Sequence, residues 1–274
     1  MRNANFEVMA VIQCNGATLY YEEYGDGQTI IFLHGAWAGL RYFEPQLTAL
    51  SNQYRTVALD FRGHGRSEKT EQGHTVRQYA RDVHEFLDRC HFDNVVLVGW
   101  SMGAAVTWEY VDQFGTEQIR GLVNIDAEPS PLQQQDDKFG RMNLEELSTV
   151  FVDIQTDHLN LIERENQLLV KDSPSRDLET MMFDEASRTP PPIKSAIFAD
   201  VLRKPPYNLS DIDVPTLVCA GADEKWRSVA SVEHVANLIP DSRFELFEES
   251  GHCITVEEPK RFNRVLSDFV DSVC

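Results

Sequence analysis

Residues 95–108 read Val95-Val96-Leu97-Val98-Gly99-Trp100-Ser101-Met102-Gly103-Ala104-Ala105-Val106-Thr107-Trp108, and the reading of this stretch decides the fold. The opening apolar run is short and rich in β-branched residues, which is the pattern of a strand buried on both faces. A helix-forming segment begins directly after Ser101 and ends near Gly115, a residue suited to the left-handed cap position. Between them lies Gly-x-Ser-x-Gly, the sequence form of a nucleophile elbow. A serine on so sharp a strand-to-helix turn takes a strained backbone, and only small neighbours let the helix pack close while Oγ stands at the top of the sheet. The bare pattern is common, and the alternative is a serine capping an ordinary helix. The strand before it and the helix after it favour the elbow.

Working outward, Phe6 to Gln13 and Thr18 to Tyr24 flank the turn dipeptide Asn15-Gly16 and predict an antiparallel hairpin. The short apolar runs Ile30–Leu33, Val57–Leu59, Val95–Val98, Leu122–Ile125 and Thr216–Ala220 predict parallel strands, and Phe244–Phe247 one more. His34, Asp60, Gly99, Asp126 and Gly221 follow five of them, at the carboxyl ends where open α/β sheets gather ligand sites. Helical stripes alternate with these runs. Thr75 and Gln78 form a capping box before Tyr79, Val83, Phe86, Leu87 and Cys90, while Thr255 and Glu258 form another before Phe262, Val265, Leu266, Phe269 and Val270. The expected architecture is α/β: a mostly parallel eight-stranded sheet with helices on both faces. From about Glu128 to Tyr207 the βα rhythm stops, so 1–127 and 208–274 are expected to form a core domain and 128–207 a helical lid. Leu144, Leu147, Phe151 and Ile154 make one lid helix whose apolar stripe is expected to pack on the core.

Serine is a weak nucleophile at neutral pH, so a base must take its proton and a third group must orient that base. His252 lies on a loop after the last predicted strand, whereas His34 and His64 precede the serine and do not fit the order serine, acid, histidine. Two carboxylates stand at strand ends between them. Asp223, after Thr216–Ala220, is preferred as the acid; Asp126, after Leu122–Ile125, is the alternative, with bracing of the lid entrance as its other role. The Arg62–Arg66 loop reads as a tightly turned structural loop in preference to an anion site. Trp37 and Trp100 are candidates to line an apolar substrate pocket; Trp226 also lies near a motif loop.

His34-Gly35, Asp60 to Ser67, the elbow at Ser101, Gly221-Ala222-Asp223 and Gly251-His252 occur in the order found in α/β-hydrolases, and outside the lid the whole chain resembles that fold family. It is most similar to the group of cofactor-free haloperoxidases, small esterases and carbon–carbon bond hydrolases. The resemblance implies an oxyanion hole from the backbone N–H groups of Ala36 and Met102, fixed before charge develops on the substrate. Ala104, where many relatives have a second glycine, and the lack of a proline soon after Asp223 are departures from the pattern. Ala36-Trp37 lacks the proline common in epoxide hydrolases, and Ser101 stands where those enzymes and haloalkane dehalogenases use an aspartate. The expected function is cleavage of a carboxylic ester or related acyl bond of a small apolar substrate through an acyl-enzyme on Ser101, with no cofactor and no metal. Perhydrolysis or carbon–carbon cleavage by the same triad stays open, as does a non-catalytic small-molecule receptor on this fold.

The balance of 44 acidic against 25 basic residues, a net charge of −19, opposes nucleic acid and anionic membranes as partners. Adaptation to high salt and ordinary acidity explain this charge equally well. The five cysteines are scattered without a paired motif, so they are expected to be free thiols, Cys253 among them as a packing residue. With neither a signal peptide nor a membrane segment legible, the expectation is a cytoplasmic monomer or homodimer.

Overall fold

A computed structural model describes residues 7–128, 139, 143–201 and 207–274. The predicted start of the first strand at Phe6 lies outside them, as do parts of the segment 128–207 expected to form a lid. Strands β1 (Glu7–Cys14) and β2 (Ala17–Tyr24) form the antiparallel hairpin, closed by Asn15 and Gly16, both at positive φ. Next come β3 (Thr29–Leu33), β4 (Arg55–Leu59), β5 (Val95–Trp100), β6 (Ile119–Ile125), β7 (Thr216–Gly221) and β8 (Ser242–Phe247). The sheet order is β1-β2-β4-β3-β5-β6-β7-β8, parallel from β4 through β8. β3, β5 and β7 are buried along their whole length, which is why they read as unbroken apolar runs rather than alternating ones.

The helices are α1 (Glu44–Leu50), α2 (Val76–Cys90), α3 (Met102–Phe114), α4 (Leu144–Thr156), α5 (His158–Leu168), α6 (Arg176–Ser187), α7 (Pro191–Val201), α8 (Val229–Leu238), α9 (Ile254–Glu257) and α10 (Pro259–Val273). Alternate residues of each strand feed two cores. Ile31, Leu33, Val57 and Leu59 pack with α2, α3 and α8; Ile30, Phe32, Val96 and Val98 pack with α1 and α10.

Three local expectations are corrected. Thr255 does not cap the last helix: it lies inside α9 and its hydroxyl donates to the Tyr42 carbonyl, while α10 starts after Glu258 with Pro259 in its first turn, where a missing N–H costs nothing. Gly115 closes α3 with φ 71° but ψ −160°, an extended exit in place of a left-handed cap. Thr75 does accept from the Gln78 N–H, but the Gln78 side chain turns to Asp82 instead of back to the cap.

Between β6 and β7 the described residues form α4 to α7 and a single 3-10 turn, with no strand. The α4 stripe divides: Ile154 is buried and Phe151 meets Phe198 of α7, whereas Leu144 is 73% exposed, so the stripe does not pack on the core along its length. The connection from α5 to α6 is stitched to the far side of the sheet. The Leu169 carbonyl accepts from the Cys253 N–H, the Lys171 N–H donates to Glu257, and Lys225 Nζ donates to the Val170 carbonyl. Val170 and Met182 accordingly belong to the core beneath β7 and β8.

Candidate active site

Ser101 joins β5 to α3 at φ 54° and ψ −117°, a conformation costly for any residue with a Cβ and kept only where its surroundings impose it. The imposition is visible at Gly103: a Cβ there would sit 2.1 Å from the Leu33 carbonyl oxygen. The Ser101 N–H donates to the Ile125 carbonyl at 2.8 Å, tying the turn to the neighbouring strand. Gly35, after β3, lies so near that its Cβ would meet that of Ser101 at 3.3 Å. The chain carrying Ala36 therefore passes beside the serine, and Met102, as the first residue of α3, is among those N–H groups that a helix leaves unpaired.

His34 and His64 fasten this loop. The Phe61 N–H donates to His34 Nε2 and the Trp37 N–H to His64 Nε2, so each Nδ1 carries the proton and donates to a carbonyl, Gly35 and Arg62 respectively. Burial pulls both imidazoles below the ordinary value, as suits neutral struts. Asp60 accepts from the N–H groups of Leu40 and Arg66, and Arg62 forms a two-pronged ion pair with Asp82, so the Arg62–Arg66 loop is held as a tight structural turn.

His252 lies on the loop after β8, fully buried, and its carbonyl accepts from Trp100 Nε1 at 2.8 Å. The two rings are 5.3 Å apart, which brings the imidazole to the residue before Ser101. Trp100 is 2% exposed and its ring packs at a tilt against Tyr42, so it anchors the histidine and, against expectation, has no surface left to line a substrate pocket. Trp37 is half-buried.

The carboxylate at His252 is not Asp223. That side chain is exposed, and its N–H is spent on the Ser250 carbonyl. The turn after β7 points the next residue inward: Glu224 Oε2 lies 2.5 Å from His252 Nδ1, with both side chains nearly solvent-free. Close approach enforces this, because a Cβ at Gly221 would lie 1.9 Å from the Gly251 carbonyl oxygen. Asp126, at positive φ just past β6, is the second carboxylate, 3.4 Å from the same Nδ1 and with neither oxygen hydrogen-bonded. Arg227 completes the cluster. It donates to the Asp126 carbonyl, comes within 3.4 Å of His252 Nδ1 and pairs with buried Glu128 at 3.5 Å.

These neighbours set the protonation states. Burial first, then the negative charge of Glu224, pushes Asp126 up to about 7. Burial also opposes charge on Glu224 and His252, but their mutual attraction prevails, so Glu224 is held well below the carboxylate range and His252 is raised to about 9. Asp126, Glu224 and His252 each offer one ligand atom within 4.8 Å of the others, the only such group among the described residues. The Arg227 guanidinium already brings positive charge to the same spot, which makes it a poor cation site. Glu224 on Nδ1 fixes the tautomer that leaves Nε2 to exchange a proton.

Residues 28–259 match the family model for the alpha/beta hydrolase fold. The chain belongs to that family. This hydrolase is 26% identical over 274 residues to a non-heme chloroperoxidase of Kitasatospora aureofaciens (94% of this chain, 97% of the relative). It is 27% identical over 262 residues to 2-(acetamidomethylene)succinate hydrolase of Mesorhizobium japonicum (93% and 92%). An esterase from Exiguobacterium antarcticum shares its fold with a TM-score of 0.91 at 24% identity, covering 96% of this chain and 100% of that one. All five cysteines of the enzyme are free thiols, Cys253 fully buried, and no described helix is long and apolar enough to cross a membrane.

Proposed function

We propose that the enzyme cleaves a carboxylic ester or related acyl bond through an acyl-enzyme on Ser101. The observation that carries this reading is the buried Glu224–His252 hydrogen bond beside a strained serine turn, an arrangement with no structural purpose that a plain packing pair would not serve at lower cost. Ser101 Oγ attacks the carbonyl carbon, and its proton passes to His252 Nε2. The N–H groups of Ala36 and Met102 receive the oxyanion. Collapse expels the alcohol, which takes the proton from His252; water then repeats the sequence on the acyl-enzyme and frees Ser101. Glu224 stays ionised throughout and stabilises the imidazolium. Hydrogen peroxide in place of water would give a peracid by the same route, a second reading favoured by the likeness to the chloroperoxidase.

The test is active-site labelling with a fluorophosphonate, together with turnover of p-nitrophenyl esters of graded chain length. Wild type should label and turn over; Ser101→Ala should do neither, losing several orders of magnitude in kcat. Unchanged labelling or turnover in the alanine variant would sink the proposal.

A further inference from the structure

Lys194 on α7 is 0% exposed and its Nζ has no hydrogen-bond partner. The amine lies 4.9 Å from the centre of the Trp37 ring, and Trp37 Nε1 in turn donates to the carbonyl of Lys194 at 3.3 Å. Trp37 directly follows Ala36. The rings of Phe151 and Phe198 extend the apolar surroundings, Phe198 lying 5.8 Å from Trp37.

The position is held from both ends. Ile193 packs against Gly63 of the Asp60–Ser67 loop, and Asp200 accepts from the Val76 N–H at the start of α2 at 2.7 Å. An unpaired ammonium in such a place is costly, and burial pulls this amine down to about 7. The ring of Trp37 offers only a cation–π contact, worth ~0.5–2 kcal/mol, which does not offset the loss of water around a charge. An amine without an acceptor, rigidly placed beside the loop that would hold the oxyanion, lacks one thing: an anion.

We infer that Lys194 receives a carboxylate on the acyl substrate, so that the preferred substrate is an ester or related acyl compound bearing a second, anionic end. This rests on Ser101 as the nucleophile. The carboxylate accepts hydrogen bonds from Nζ and restores its full positive charge, while Trp37 covers the stem between that end and the reacting carbonyl.

Two esters of equal acyl length test this, p-nitrophenyl hydrogen glutarate and p-nitrophenyl pentanoate, with glutarate as a non-reacting probe. In Lys194→Met the ratio of kcat/KM for the anionic over the neutral ester should fall about 30-fold, which is ~2 kcal/mol. The ligand-free Lys194→Met protein should melt at a higher temperature than wild type, since it no longer buries an unpaired amine. Glutarate should raise the Tm of Ser101→Ala and leave that of Ser101→Ala/Lys194→Met unchanged. If Lys194→Met lowers both esters equally and also lowers the Tm, the lysine is structural and the inference is overturned. If wild type hydrolyses neither ester, the Ser101 reading fails, and the glutarate shift still decides the fate of Lys194 separately.

Discussion

Replacing Glu224 by Gln keeps the volume of the side chain and removes the charge that the buried imidazole faces at 2.5 Å. At an effective dielectric of ~20 that attraction is ~7 kcal/mol, and it is ~5 kcal/mol for a carboxylate at the 3.4 Å of Asp126. An amide at Nδ1 also permits the wrong tautomer, which in a serine triad costs ~10⁴ in kcat. Asp126 softens the blow, because without the like charge of Glu224 it ionises more readily and can serve as a second, more distant partner. The expected loss for Glu224→Gln is therefore about 10²- to 10⁴-fold in kcat, with Glu224→Gln/Asp126→Asn at or beyond the upper end. Asp223→Asn, on an exposed side chain, should stay within about twofold of wild type. The assay is single-ester turnover at one pH with all four proteins shown to be folded by circular dichroism. A dead Asp223→Asn alongside an active Glu224→Gln would refute the assignment of the acid.

Because the negative charge of Glu224 outweighs burial and lifts His252 to about 9, the imidazole becomes neutral only in alkaline solution, and with His252 as the proposed base the rising limb of kcat/KM against pH should lie well above the ordinary imidazole value of 6.5. Glu224→Gln should move that limb to lower pH, and a limb that stays put shows that another group titrates. Asp126 has a folded-state pKa raised above its unfolded value of ~3.9, so the stability it contributes is present below that value and lost as pH rises through about 7. Asp126→Asn should accordingly gain Tm over wild type at pH 8 relative to the difference at pH 5, as read by thermal scans; a constant difference would show that Asp126 stays ionised throughout.

The sheet was legible because β3, β5 and β7 are covered on both faces, and such burial leaves a mark in every residue of the run. The serine turn was legible for a related reason, since Gly103 is required by contact with another strand. The acid was not. Asp223 and Glu224 are adjacent carboxylates, and which of them points inward depends on how the turn after β7 is pressed against Gly251, a contact between segments 30 residues apart. Thr255 and Glu258 matched the spacing of a capping box, but spacing cannot reveal that the Thr255 hydroxyl is engaged by Tyr42. Lys194 carried no signal at all: one lysine in a helix reads as a solvated side chain, and only packing against Trp37 shows otherwise.

The stitching of residues 169–171 to Cys253, Glu257 and Lys225 bears on how the enzyme can be re-engineered. A graft that exchanges the whole insert between β6 and β7 for that of a relative would cut the backbone anchors of the loop bearing His252, and the chimera would lose the placement of its proposed proton carrier. The seam for recombination runs on the near side of Leu169, so that α4 can be traded as a cassette while α6 travels with the sheet. Selection for new substrates is expected to collect its changes on the α4 and α7 side and to leave the strand of chain beside Gly251 untouched.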